Sequence, residues 1–287
     1  MRFAIGVPNV AAFADPVFLV EIAAMTEQAG WDGFFVWDHL LYRPPEPTAV
    51  EPWSIVAAAA AITFRVRLGV LLTALPRRHP ALMAQQVATI DLLSRGRVVF
   101  GAGLGSIPEE YISFGEDGDP HVRARKLDEA LDLVCAIWSG EPVQYHGEFY
   151  SVDAPALLPQ PLQRPRPPIW LGGRWPNRAP FRRAAHYDGV MPTHAAHEHG
   201  SFMTPSQLGV IVEYVQAHRR VAQPMEVVME GESTDAEHLG ELCGSYAEVG
   251  LTWWVEKLGW WRGDFDAAFR RVVAGRPKID SMRQGAS

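Results

Sequence analysis

Lysine is scarce in this chain. Lys126, Lys257 and Lys278 are the only three, and the rest of the 26 basic residues are arginine. That argues against an anion site built from a lysine cluster. Cysteine is scarcer still: Cys135 and Cys243 stand alone in 287 residues, each in a helix-like stretch. Two cysteines make neither a disulfide framework nor a zinc site, and both read as reduced core residues. The longest apolar run, near Ile55 to Ile62, is too short to span a bilayer. At the N-terminus the chain enters an apolar strand pattern, Phe3 to Val7, without the h-region of a signal peptide. Positive charge is not in excess, since the net charge is −7 and the pI about 5.8, so there is no nucleic-acid footprint. These absences describe a soluble, cytoplasmic protein whose partner is a small molecule, not a nucleic acid or a membrane.

What is present is alternation. Short β-rich runs occur at Phe3–Val7, Gly33–Trp37, Val66–Leu72, Val98–Gly101, Ile169–Gly172, Gly189–Met191, Glu226–Met229 and Thr252–Glu256. Longer stretches of helical periodicity separate them. In His121–Ser139, for example, Leu127, Leu131, Val134 and Trp138 fall on one stripe. Pro80–Ser94 opens with proline at a first-turn position. Strands alternating with helices imply an α/β fold with a parallel sheet, and runs apolar on both faces suit it. Eight such units in this length fit one closed (β/α)₈ barrel, a TIM barrel, better than an open sheet. The rhythm breaks once, at the proline-rich Gly140–Pro168. There the spacing predicts an insertion arm over residues 139–168, with a small hairpin near His146-Gly147 and the role of a lid or packing arm.

In such a barrel, functional side chains follow the strands at their C-terminal ends. This selects Asp38-His39 after the second run and Thr73 after the third. It also selects Gly101-x-Gly103-Leu104-Gly105-Ser106 after the fourth, Gly172-Gly173-Arg174 at the fifth and Thr193-His194 at the sixth. Glu230 and Glu256 close the last two runs, as added acids or as carboxylates paired with arginine. The G-x-G-x-G spacing is not that of a dinucleotide fingerprint. His194, His197 and His199 lack metalloprotease spacing, so no metal is expected. Trp37, Trp175 and Trp260, with Trp170, Trp253, Trp254 and Trp261, concentrate aromatic surface near the expected mouth. Together with His194, Glu230 and Glu256, the first three form the candidate substrate pocket for an apolar or planar molecule.

The segments 27–40 and 67–106 resemble the luciferase-like monooxygenase superfamily, and 123–150, 166–173 and 185–192 continue the match in register. Residues 250–261 also resemble its members near their C-termini. The resemblance implies a single luciferase-like barrel domain over residues 1–287, binding the deazaflavin F420 or, alternatively, FMN in its mouth. On that reading the cofactor lies against His39, Leu71, Leu72, Thr73, Gly103, Leu104, Gly105, Ser106, Gly172, Gly173 and Arg174. His39 is the expected proton donor or acceptor, with Asp38 as its orienter. Leu71-Leu72 matches the position where deazaflavin-binding members carry a bulge with a non-proline cis peptide. Sugar-phosphate dehydrogenases of the superfamily place a glutamate where this chain has Ser106, which argues against a sugar-phosphate substrate. The resemblance therefore implies hydride transfer between F420 and a small organic substrate. An FMN-dependent monooxygenase is the alternative, and a non-catalytic flavin-binding relative the alternative of another class. A homodimer is the default assembly.

Overall fold

The computed structural model describes residues 1–42, 48–197 and 202–277. Eight parallel strands close on themselves: β1 (Arg2–Val7), β2 (Gly33–Val36), β3 (Arg67–Ala74), β4 (Val98–Gly103), β7 (Ile169–Trp175), β8 (Gly189–His194), β9 (Glu226–Gly231) and β10 (Trp253–Lys257). Each pairs with its neighbours in that order, and β10 returns to β1. The expected barrel is thus the observed one, with every predicted strand in place.

Around it lie α1 (Pro16–Gln28), α2 (Pro52–Ile62), α3 (Pro80–Leu93), α4 (Glu109–Ile112), α5 (Pro120–Trp138), α6 (Ala179–Ala184), α7 (Pro205–His218), α8 (Ala236–Glu248) and α9 (Phe265–Val273). Several helices start the same way, with a capping side chain followed by proline at the first turn. Asp15 accepts from the amides of Val17 and Phe18 ahead of α1, and Asp119 accepts from that of His121 ahead of α5. Thr204 and Gln207 close a reciprocal capping box at α7. Each such cap contributes roughly 1 kcal/mol and sets the point where a loop turns into a helix. Among the described residues no helix is long and apolar enough to cross a membrane.

Parity along the strands decides what each side chain sees. Ala4, Phe35, Leu71, Val99, Trp170, Met191, Val228, Trp253 and Val255 fill the lumen. Their strand neighbours Phe3, Ile5, Phe34, Phe100, Leu171 and Trp254 join the outer core beneath the helices. Burying a large apolar side chain contributes about 1.5–3 kcal/mol, so both layers are needed to hold the barrel. The lumen set also fixes which residues reach the mouth two positions further on.

The 139–168 arm contains the expected hairpin. β5 (Val143–His146) and β6 (Ser151–Ala154) pair antiparallel, Val143 facing Ala154. Two carboxylates fasten it. Glu129 on α5 accepts from the amides of Glu148, Phe149 and Tyr150 at 2.6, 2.9 and 3.2 Å. A Cβ on Gly147 would lie 2.2 Å from that carboxylate, so the turn requires glycine there. Further along, Asp91 on α3 accepts from the amides of Leu162 and Gln163 at 2.8 and 2.9 Å.

Candidate active site

At the C-terminal rim, lumen parity brings Gly6, Trp37, Gly103, Gly172, Arg174, Thr193, Glu230 and Lys257 inward. β3 breaks its register with β4 between Val70 and Thr73, and the Leu71–Leu72 peptide within this bulge is cis. Leu71 joins the lumen core, and Leu72 packs beside it. A Cβ on Gly172 would sit 2.1 Å from Leu72 Cδ1, and one on Gly101 3.1 Å from Leu72 Cδ2. The glycines of β4 and β7 therefore leave the space that the Leu72 side chain occupies, and it forms an apolar platform at the mouth.

Other groups at the mouth are polar and aromatic. His39 directs Nδ1 to Glu110 Oε1 at 3.2 Å, while its backbone is fixed on both sides by Asn9. The same Glu110 oxygen accepts from the amides of Leu40 and Leu41 at 2.5 and 3.1 Å, and Oε2 accepts from Arg77 at 2.8 Å. Burial of Glu110 alone would raise its pKa. The His39 hydrogen bond and the Arg77 charge outweigh that and hold the carboxyl below its usual range. An ionised Glu110 only accepts, so Nδ1 carries the proton and Nε2 is the atom left to exchange one. Nε2 has no partner among the described residues.

Asp38 is not the orienter. Its side chain, 1% exposed, turns away from the imidazole to bind Arg77 at 2.8 Å, Arg78 at 2.9 Å and the amide of Ala74 at 2.9 Å. Adjacent residues at a strand end point in opposite directions, so Asp38 enters the β3 side while His39 faces the mouth. Burial pushes the Asp38 carboxyl up, and the two arginines more than reverse that. Arg77 bridges Asp38 and Glu110, coupling the two anions through one buried guanidinium.

Trp37 donates Nε1 to Glu230 Oε1 at 2.8 Å and stacks on Trp261, with centroids 5.8 Å apart and planes 14° from parallel. Lys257 Nζ lies 5.8 and 5.2 Å from the two ring centroids. Trp260 meets Trp261 and Tyr42 edge-on at 5.0 and 5.4 Å. Glu230 keeps some solvent exposure in the mouth, but desolvation by the surrounding wall still pushes its pKa up against the pull of Lys257.

Other expected residues are elsewhere. Glu256 faces outward and is fully buried. It accepts from Ser233, Trp254, Arg262 and Arg271, which makes it a structural tie and no part of the pocket. Trp175 shares the outward parity and packs on Phe181 and Tyr214. His194 pairs in register with Trp175, and its Nδ1 accepts from the Ala196 amide. The Thr73 hydroxyl is buried and accepts from Trp53. Gly173 turns toward Pro180 and Phe181 in the helix layer. The Leu104 carbonyl accepts from Tyr111 at 2.6 Å, Gly105 has φ +73°, and Ser106 is exposed at the rim. His199 lies outside the described residues. Among these no group of histidine, cysteine or carboxylate side chains could hold a metal.

Residues 2–206 match the family model described as luciferase-like monooxygenase. The chain belongs to the luciferase-like monooxygenase family. One relative is an F420-dependent glucose-6-phosphate dehydrogenase of Beutenbergia cavernae, 37% identical over 51% of this chain and 44% of its own length. Another is the oxygenase component of a flavin-dependent trigonelline monooxygenase of Acinetobacter baylyi, 29% identical over 57% of this chain and 44% of its own. The matched segment spans between 44% and 66% of the curated relatives' length. Among solved structures, an F420-dependent secondary alcohol dehydrogenase with an F420-acetone adduct superposes with a TM-score of 0.76. It covers 96% of this chain and 99% of that one at 20% identity, which bears on the fold of this luciferase-like chain alone.

Two features escaped the sequence reading. Glu110 and Arg77 follow no strand directly, and in the sequence Lys257 reads only as one of three scattered lysines. The acidic pair Glu109-Glu110, four residues past the glycine turn, was the one available signal for the first.

Proposed function

We propose that this chain is an F420-dependent oxidoreductase acting on a small, apolar or aromatic organic molecule. One observation supports this reading above the others. The mouth holds the apolar Leu72 platform on β3 and, just after the paired strand β2, an imidazole whose tautomer is fixed by a buried carboxylate. A planar isoalloxazine-like ring fits such a platform, and Arg174, exposed and with no partner among the described residues, suits an anionic cofactor tail. When bound, the deazaflavin supplies or accepts a hydride. The chain's residues do the rest. Leu72 and its glycines bear the ring, the Trp37–Trp261 wall excludes water from one side, and His39 Nε2 gives or takes the accompanying proton. Glu110 and Arg77 keep the imidazole from rotating.

Among the described residues Lys257 is the one lysine at this mouth, and it is engaged by two indoles and by Glu232. With Ser106 at the rim, that supports a substrate other than a sugar phosphate.

Titration of the apoprotein with oxidised F420 and, separately, with FMN tests the cofactor. Tight binding of F420 alone is the expected result. Tight binding of FMN alone overturns the assignment in favour of oxygen-dependent chemistry, and binding of neither favours a non-catalytic relative. For the proton, His39→Ala should abolish turnover while retaining F420 affinity. Normal turnover in that variant removes His39 from the reaction.

A further inference from the structure

Glu230 is the inward carboxyl of the mouth that the scheme above leaves unused. It stands on β9 two residues beyond Val228 of the lumen core, on the parity that projects into the mouth. Gly6 on β1, one strand beyond β10, borders it in the mouth: a Cβ there would make ordinary contact with Oε1 at 3.6 Å. Oε1 is occupied, accepting from Trp37 at 2.8 Å. Oε2 has no partner among the described residues, and it is not sealed from the mouth. A carboxyl whose first oxygen accepts an indole N–H places its own proton on the second oxygen. That oxygen is the one open to a ligand.

The surroundings narrow the ligand. Trp261 stacks behind Trp37 and remains 40% exposed, giving an aromatic surface beside the carboxyl. Among the described residues, the charged or titratable groups that act most on Glu230 are Lys257 from β10, Glu232 beyond the end of β9, and His39 from the loop after β2. Lys257 is already drawn to Glu232 at 4.0 Å and to both indoles. A second anion beside Glu230 would meet Glu232, and Lys257, the cation that acts on Glu230, is already engaged.

We propose that Glu230 is the hydrogen-bond donor of a subsite for a neutral, flat molecule bearing a carbonyl-type oxygen, seated against the Trp261 side of the mouth, and that this subsite rejects the carboxylate analogue. The inference rests on the mouth being the ligand site, but not on the identity of the cofactor. The upward push that desolvation gives the Glu230 pKa agrees with a protonated donor.

The test uses acetophenone and benzoate, a neutral and an anionic molecule of similar shape, followed by ligand-observed NMR with the apoprotein and with F420-saturated protein. Acetophenone should bind, and benzoate should bind at least about tenfold more weakly. Raising the pH from mildly acidic to alkaline should weaken acetophenone binding as Glu230 loses its proton. In Glu230→Gln the amide keeps an oxygen for Trp37 and presents N–H to the ligand, so affinity should survive and lose this pH dependence. Glu230→Leu should weaken acetophenone about tenfold. Equal binding of benzoate, an unchanged Glu230→Leu, the same pH profile in Glu230→Gln, or no acetophenone binding in either form overturns the proposal. Failure of F420 to bind alongside the expected ligand pattern would sink the cofactor assignment and leave this subsite standing.

Discussion

The lumen and the outer layer of this barrel each receive a glutamate from the end of neighbouring strands, and treat it in opposite ways. Glu256, in the outer layer, is fully buried and takes hydrogen bonds from Ser233, Trp254, Arg262 and Arg271. Glu230, in the lumen mouth, has one hydrogen bond and an open oxygen. A buried charge whose needs are all met is architecture. A carboxyl left partly unmet beside a cavity is where a ligand can be recognised. The same residue type at the same kind of position separates into these roles by strand parity alone.

The strongest way to break this comparison is to truncate both. Glu256→Ala strands the buried Arg271 and the partly buried Arg262 and should lower unfolding free energy by about 3–5 kcal/mol in urea denaturation. Glu230→Ala, measured in the same way, should cost under about 1 kcal/mol. Equal losses would mean that Glu230 is also structural.

A smaller effect is expected at Glu110, which serves both purposes. Glu110→Gln should destabilise by about 2 kcal/mol near neutral pH, since bonds to Arg77 and His39 lose their charge. The native pKa of Glu110 is depressed, so its contribution is fully present above the ordinary value of 4.5 and lost as pH falls below it through the native value. The acid limb of the stability curve should therefore be shallower in the variant. An unchanged limb would show that other carboxylates govern acid unfolding.

Below that comes the platform. Gly172→Ala should cost about 1–3 kcal/mol by displacing Leu72, and adding Leu72→Ala should recover part of it. Additive losses would separate the two residues. The smallest effect belongs to Arg174→Ala, which should leave stability within about 0.5 kcal/mol because the side chain holds nothing. Only affinity for an anionic cofactor should fall, read by F420 titration.

All eight strands were legible because each is a short β-rich run between helical stretches. The hairpin was legible from its turn. Which strand-end residues enter the mouth was not. Strands of a parallel barrel are buried on both faces, so Trp254 and Val255 look alike in sequence, yet one faces the helices and the other the lumen. Without that phase Glu256 and Trp175 could not be told from Glu230 and Trp37. The Glu110–His39 pair was hidden for a different reason. It joins residues 71 positions apart through a short helix that the strand-end rule does not visit.

The grip of Glu129 and Asp91 on the proline-rich arm has a kinetic meaning. A segment clasped by backbone amides at two separate stations, on α3 and on α5, is a brace and not a gate. Ligand exchange at the mouth should then proceed at rates indifferent to this arm, and cross-linking the hairpin to α5 should raise the melting temperature while leaving on- and off-rates where they were.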